Sequence, residues 1–289
     1  MPPDSTTPAP PVPIKEAVAK GAKPNGCDSA EIPMQCASVT LRVGARRVAL
    51  SFGVPSIPVE SAALLPLFRS LTDTLVDIAA EETRSRGLSI SCRKGCGACC
   101  RQLVPISEME VMALRRLVAE LPEPRRSAVV ERFERGVATF AQAGLMETLR
   151  HPETVDAERA ERVGLDYFMQ GVACPFLDDE SCSIHPDRPL ACREYLVTSP
   201  AANCAYPSSA SVQCVPVPAK VSRAVRRIED ERSPSFEPWI PMILALEWPL
   251  ANERPAQAGT AMLARALSRL TGTTVPEPKE SGDARSDQG

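Results

Sequence analysis

Nine of the eleven cysteines in this chain fall in two stretches whose spacing suits metal ligation. The first reads Cys92-Arg-Lys-Gly-Cys96-Gly-Ala-Cys99-Cys100, four thiols within nine residues, interleaved with Gly95 and Gly97. The second reads Cys174-Pro-Phe-Leu, Cys182-Ser-Ile-His185-Pro-Asp-Arg-Pro and Cys192-Arg-Glu, with Cys204 and Cys214 beyond it. A Cys-x-x-Cys pair such as Cys96-Gly-Ala-Cys99 brings two sulfurs to one centre in a tight turn, and glycine supplies the positive φ such turns use. Cys182 and His185 repeat that spacing, and neutral imidazole is an ordinary ligand for zinc or iron. Neighbouring side chains point apart, so Cys99 and Cys100 are poorly placed to serve one mononuclear centre in the same way. That makes a second metal, or a cluster iron, a candidate partner for one of them. With His185, the seven thiols Cys92, Cys96, Cys99, Cys100, Cys174, Cys182 and Cys192 could fill two tetrahedral ions, or one cluster with thiols to spare. Cys204 is a further candidate.

Thiolates around a divalent ion leave net negative charge that neighbouring donors must offset. Arg93, Lys94, Arg101, Arg188 and Arg193 lie beside the candidate ligands in sequence; each either fills that role or is an ordinary solvated charge. Asp178, Asp179, Glu180 and Asp187 read as solvated loop charges, and His151 as a surface residue. Cys27, Cys36 and Cys214 lie outside the motifs and read as bystanders.

Composition bounds the partners. A net charge of −3 and a pI near 5.7 give no reason to expect nucleic acid, and no basic stripe of any size alters that. No run approaches the ~20 apolar residues of a membrane helix. The N-terminus has neither the basic nor the apolar region of a secretory leader, so the expected location is cytoplasmic, where thiols stay reduced and clustered cysteines bind metal.

The elements that must position these thiols are mostly helical. Val39, Leu41 and Val43, then Val48, Leu50 and Phe52, alternate with polar residues around Gly44-Ala45 and predict a β-hairpin. Ser61 is the expected N-cap of a helix carrying Leu64, Leu67, Phe68, Leu71, Leu75 and Ile78 and ending at Gly87. Ser107 and Glu110 form a capping box for a helix with Met112, Leu114, Leu117 and Leu121 inward, stopped by Pro122 and Pro124. Helices are expected at about 125–143 (Val130, Phe133, Val137, Phe140), 155–169, 221–228, 239–248 and 262–270. The prediction is a mainly α fold with minor β structure, helices and loops wrapped around a cysteine-rich site. Residues 1–36 and 273–289 are expected to be disordered tails flanking a single domain, 37–272, whose cysteine-cluster core spans about 88–214.

Cys-x3-Cys-x2-Cys-Cys followed by Cys-Pro-Phe-Leu and Cys-x-Ile-His-x-x-Arg-Pro-x-x-Cys-Arg resembles the YkgJ-type cysteine-cluster family, described as a zinc- or iron-chelating domain. The resemblance spans about Cys92 to Cys204. It implies ligands at Cys92, Cys96, Cys99, Cys100, Cys174, Cys182 and Cys192; many members carry tyrosine where this chain has His185. The same motif is associated with lysine N-methylation of flagellin, which implies an alternative: an S-adenosylmethionine-dependent protein methylase with a cysteine-bound [4Fe–4S] cluster and a protein substrate. Cys92-x3-Cys96-x2-Cys99 also has radical S-adenosylmethionine spacing. Ala98 stands where those enzymes usually have an aromatic residue, however, and the patterning lacks their (β/α) barrel.

Overall fold

The structure, a computed structural model, describes residues 33–43, 46–208, 210–228, 238–250 and 255–277. The chain starts with the expected hairpin. Strand β1 (Met34–Val43) pairs antiparallel with β2 (Arg46–Pro55), with Val39 opposite Leu50 and Leu41 opposite Val48. Alternation puts Ala37, Val48, Leu50, Phe52 and Val54 on the buried face. The turn at Gly44-Ala45 lies outside the described residues, as do 1–32 and 278–289 of the expected tails. Met34 to Cys36, which the sequence placed in the N-terminal tail, are paired with Pro55 to Gly53.

After the short strand β3 (Pro58–Val59), Ser61 opens a 3-10 turn, Ser61–Leu64, and does not cap the helix. Helix α1 (Leu65–Ser85) begins at Leu65 with Pro66 in its first turn, where proline's missing N–H is no loss. It ends as expected, with Gly87 at φ +77°. Strand β4 (Pro105–Ile106) leads into α2 (Glu108–Glu120), and both halves of the capping box form between Ser107 and Glu110. The buried face differs from the expected one: Met109, Glu110, Val111, Leu114 and Val118 are buried, whereas Met112, Leu117 and Leu121 are half-buried. Glu110 is buried on that face because its carboxylate accepts from Ser107 N–H and Leu190 N–H.

Helix α3 (Arg125–Gln142) buries Val129, Phe133, Gly136 and Phe140. A Cβ on Gly136 would lie 2.7 Å from Ile243 Cδ1, so only glycine allows this approach. The short α4 (Met146–Arg150) was not anticipated, while α5 (Ala157–Met169), capped by Asp156, matches the expected helix. In the second cysteine stretch lie strands β5 (Leu177–Asp178) and β6 (Ser181–Cys182) and the one-turn helix α6 (Leu190–Arg193). Helix α7 (Val221–Arg226) follows.

The helix expected at 239–248 is absent. Strand β7 (Ile240–Pro241) pairs with β4 there, and a 3-10 turn, Met242–Leu244, comes next. Pro241 has no N–H to give a helix, and Ile240 to Ala245 are all buried, so the run has no polar face. Strand β8 (Gln257–Ala258) pairs with β3, and α8 (Gly259–Thr271) ends at Gly272 in the left-handed region. The fold is mainly α with minor, two-stranded β pairings.

Two hydrophobic cores result. One packs the hairpin against α1, α7 and α8 and includes Leu190. The other packs α2 to α5 around Phe133, Phe140, Phe176 and Ile184, with Cys174 and Cys182 at its edge. Glu110 connects the first cysteine stretch to the second: its Oε2 accepts from Ser107 N–H and its Oε1 from Leu190 N–H, two residues before Cys192. Glu110→Ala leaves the buried Leu190 N–H without an acceptor and should cost about 1–3 kcal/mol in urea unfolding. Glu120→Ala, at an exposed site on the same helix, should cost less than about 0.5 kcal/mol.

Candidate metal centre

The first cysteine segment turns twice. Cys96 N–H donates to Arg93 C=O at 3.2 Å, with Gly95 at φ +83°, and the 3-10 turn Ala98–Arg101 follows. The Cys99 and Cys100 thiols lie close enough that Cys100 is the leading cause raising Cys99, with burial second. The second segment meets the first through its backbone, Cys174 N–H donating to Cys100 C=O at 2.7 Å. Gly97 lies under the β5–β6 hairpin, where a Cβ would come 2.5 Å from Glu180 Oε2 and 3.1 Å from Glu180 Cα.

Together these segments wall a cleft of about 890 Å³ lined by Cys92, Cys96, Cys99, Cys100, Cys174, Cys182, Cys192, Cys204 and His185. All nine donors singled out in the sequence are therefore brought to one place. The ten described cysteines are all free thiols. Among the described residues no three His, Cys, Asp or Glu side chains already stand around one point in ligating positions.

Cys92 and Cys204 are raised by burial and, to a lesser extent, by the neighbouring thiols Cys96, Cys99 and Cys214. Cys99 also acts on Cys174, Cys182 and Cys192. Burial raises every one of the shifted thiols; Cys174 is pushed up to about 12 and Cys192 well above its ordinary value. Thiolates in this wall therefore need a cation beside them, which is the chemistry of a thiophilic metal site.

Carboxylates expected to be solvated hold the loops in place instead. Asp178 pairs with Arg132 of α3 at 2.6 Å, Glu180 with Arg101 at 2.7 Å and Asp187 with Arg69 of α1 at 2.8 Å. Asp179 is exposed at the hairpin turn. Arg193 grips both oxygens of Asp73 at 2.9 and 2.8 Å and also donates to Arg188 C=O and Pro186 C=O. Exposed pairs of this kind add little stability singly; their effect is to fix where the loops lie.

Of the five basic neighbours, Arg101 and Arg193 are thus structural, and Arg93 and Lys94 are exposed on the rim. Arg188 faces the sulfurs: its charge favours the thiolates of Cys99, Cys182 and Cys192. The same guanidinium holds His185 below the usual imidazole range, keeping it neutral and competent as a ligand.

Cys214, exposed and outside the cleft lining, bridges through its backbone to Val197, whose N–H donates to Cys92 Sγ at 3.4 Å. Only a fold brings residues 92, 197 and 214 together. Tyr195 lines the cleft, accepts from Gln102 Nε2 at 3.1 Å and is pushed up to about 12 by burial; a lone tyrosine carries no motif. Cys36 is exposed on β1, Cys27 lies outside the described residues, and His151 is an exposed partner of Glu153.

Gly97→Ala should push the β5–β6 hairpin off the 98–101 turn and separate the two segments. The expected loss is about 1–3 kcal/mol in chemical denaturation, with faster proteolysis between residues 178 and 181; unchanged stability would count against this contact.

No curated protein and no solved structure matches the chain. A family model does, over residues 91–214: CxxCxxCC, the "putative zinc- or iron-chelating domain". Its limits enclose both cysteine segments and reach Cys214, so residues 91–214 of this chain are similar to that family over the whole cysteine-rich region.

Proposed function

We propose that the cleft binds zinc or iron as more than one ion, with an iron–sulfur cluster as the polynuclear form that best suits it. The observation that carries this reading is the convergence of eight thiols and one imidazole, from segments far apart in sequence, on one cleft. One tetrahedral zinc uses four ligands in a closed shell; here eight thiols and an imidazole line one cleft that extends beyond the sulfurs. The ligands we assign are Cys92, Cys96, Cys99, Cys100, Cys174, Cys182 and Cys192, with His185 and Cys204 as further donors. Bound metal would offset thiolate charge and clamp the two segments. The free thiols support work in a reducing compartment, the cytoplasm.

A methylase reading draws on one feature, the room left in the cleft along Leu103, Val104 and Met242, since a catalytic centre needs an open position. Its test is saturable binding of S-adenosylmethionine to the metal-loaded chain.

Anaerobic purification of the full-length chain with metal analysis and an absorption spectrum tests the main reading. Brown protein with iron and sulfide supports a cluster, and colourless protein with two zinc ions supports a binuclear site. A single zinc overturns the polynuclear reading, and metal-free protein with paired cysteines overturns chelation altogether. Cys192→Ser should lose half or more of the metal, whereas Cys36→Ser should lose none. Chelator treatment should lower the melting temperature, because ligation free energy is folding free energy.

A further inference from the structure

The segment that follows Cys192 is held at three points. Glu194 accepts from Ser222 N–H at 2.9 Å and from Ser222 Oγ at 2.6 Å, Leu196 C=O accepts from Val215 N–H at 2.7 Å, and Val197 N–H donates to Cys92 Sγ at 3.4 Å. Tyr195 stands between these anchors on the wall of the cleft, and Gln102 Nε2 donates to its hydroxyl at 3.1 Å. A tyrosine hydroxyl can donate as well as accept. With Gln102 on the accepting side, its proton is left for another group, and among the described residues none takes it.

Buried thiolates need donors, and the cleft supplies them unevenly. Backbone N–H groups of Val197, Phe176 and Ile184 favour the charged forms of Cys92, Cys174 and Cys182 respectively. Cys204 is 3 % exposed and is raised by burial and then by the thiols around it, and among the described residues no donor offsets this. Tyr195 is its neighbour: burial pushes the phenol up to about 12, with smaller upward pushes from Cys214, Cys204 and Cys99, so the hydroxyl keeps its proton. We propose that the Tyr195 hydroxyl donates to the Cys204 thiolate when that sulfur ligates metal, which makes Tyr195 a positioning residue of the metal centre. This rests on the chelation reading and deepens it, by assigning Cys204 as a ligand and naming the group that supports its charge. Donors to ligating atoms hold them in orientation and tune the metal, and losing one typically costs roughly 10–100-fold in affinity.

The test uses the full-length chain isolated anaerobically with its metal, in competition with a chromophoric chelator. Tyr195→Phe should weaken metal binding about tenfold at unchanged metal content. In a cobalt(II)-exchanged sample its thiolate-to-metal band should move to longer wavelength, because a sulfur without its donor gives up electron density more readily. Tyr206→Phe, at a site 85 % exposed, should do neither. In a Cys204→Ala background Tyr195→Phe should have no further effect, whereas a merely structural role would add to the loss. Unchanged affinity in Tyr195→Phe, a loss that persists in the Cys204→Ala background, or a Cys204→Ala variant that holds metal as tightly as the parent each overturns the proposal. A visible tyrosinate-to-iron band that Tyr195→Phe removes also overturns it, by making the residue a ligand. A parent chain that takes up no metal removes chelation and this proposal together; a parent that loads normally beside unaffected variants removes this one alone.

Discussion

A single constraint organises this molecule: two thiol-bearing segments with unlike neighbours in sequence must lie face to face, although thiolates so close together repel and are costly to bury. The backbone bond from Cys174 N–H to Cys100 C=O sets their spacing. Side chains do the rest, by anchoring the second segment to α1 through Asp187 and Asp73, to α3 through Asp178 and to the first segment through Glu180. None of these carboxylates has to be a ligand. They hold the loops through ion pairs in which no sulfur takes part.

Glu110 illustrates how a local rule acquires a long-range use. In isolation it is the second half of a capping box, worth a fraction of a helix's stability. Its other oxygen reaches the N-terminus of α6, so the register of α2 and the position of Cys192 are set by one buried carboxylate. Gly97 makes a comparable link in negative form, by lacking the atom that would keep the hairpin away from the 98–101 turn.

Much of this was legible in the sequence. Period-two alternation located the hairpin, the Ser107-x-x-Glu110 pattern located α2, and cysteine spacing located all nine donors that line the cleft. Local signals failed where tertiary contacts decide. Ile240 to Ala245 has helical apolar content, but it is buried on every side and is drawn into pairing by Ile106. The most deeply buried face of α2 also differs from its apolar stripe, with Glu110 buried in the first turn. The link from Cys214 through Val197 to Cys92 is a contact of high sequence separation that no spacing rule encodes.

The two hydrophobic cores give the centre a further meaning. Leu190, beside Cys192, packs into the core built on the hairpin, whereas Cys174, Phe176, Cys182 and Ile184 border the core built on α3. The sulfurs thus straddle a seam, with donors from each half. A metal ion ligated from both halves, as proposed above, would act as a rivet: its loading would set how stiffly the halves are joined, and a chemical quantity, metal occupancy, would become a mechanical one.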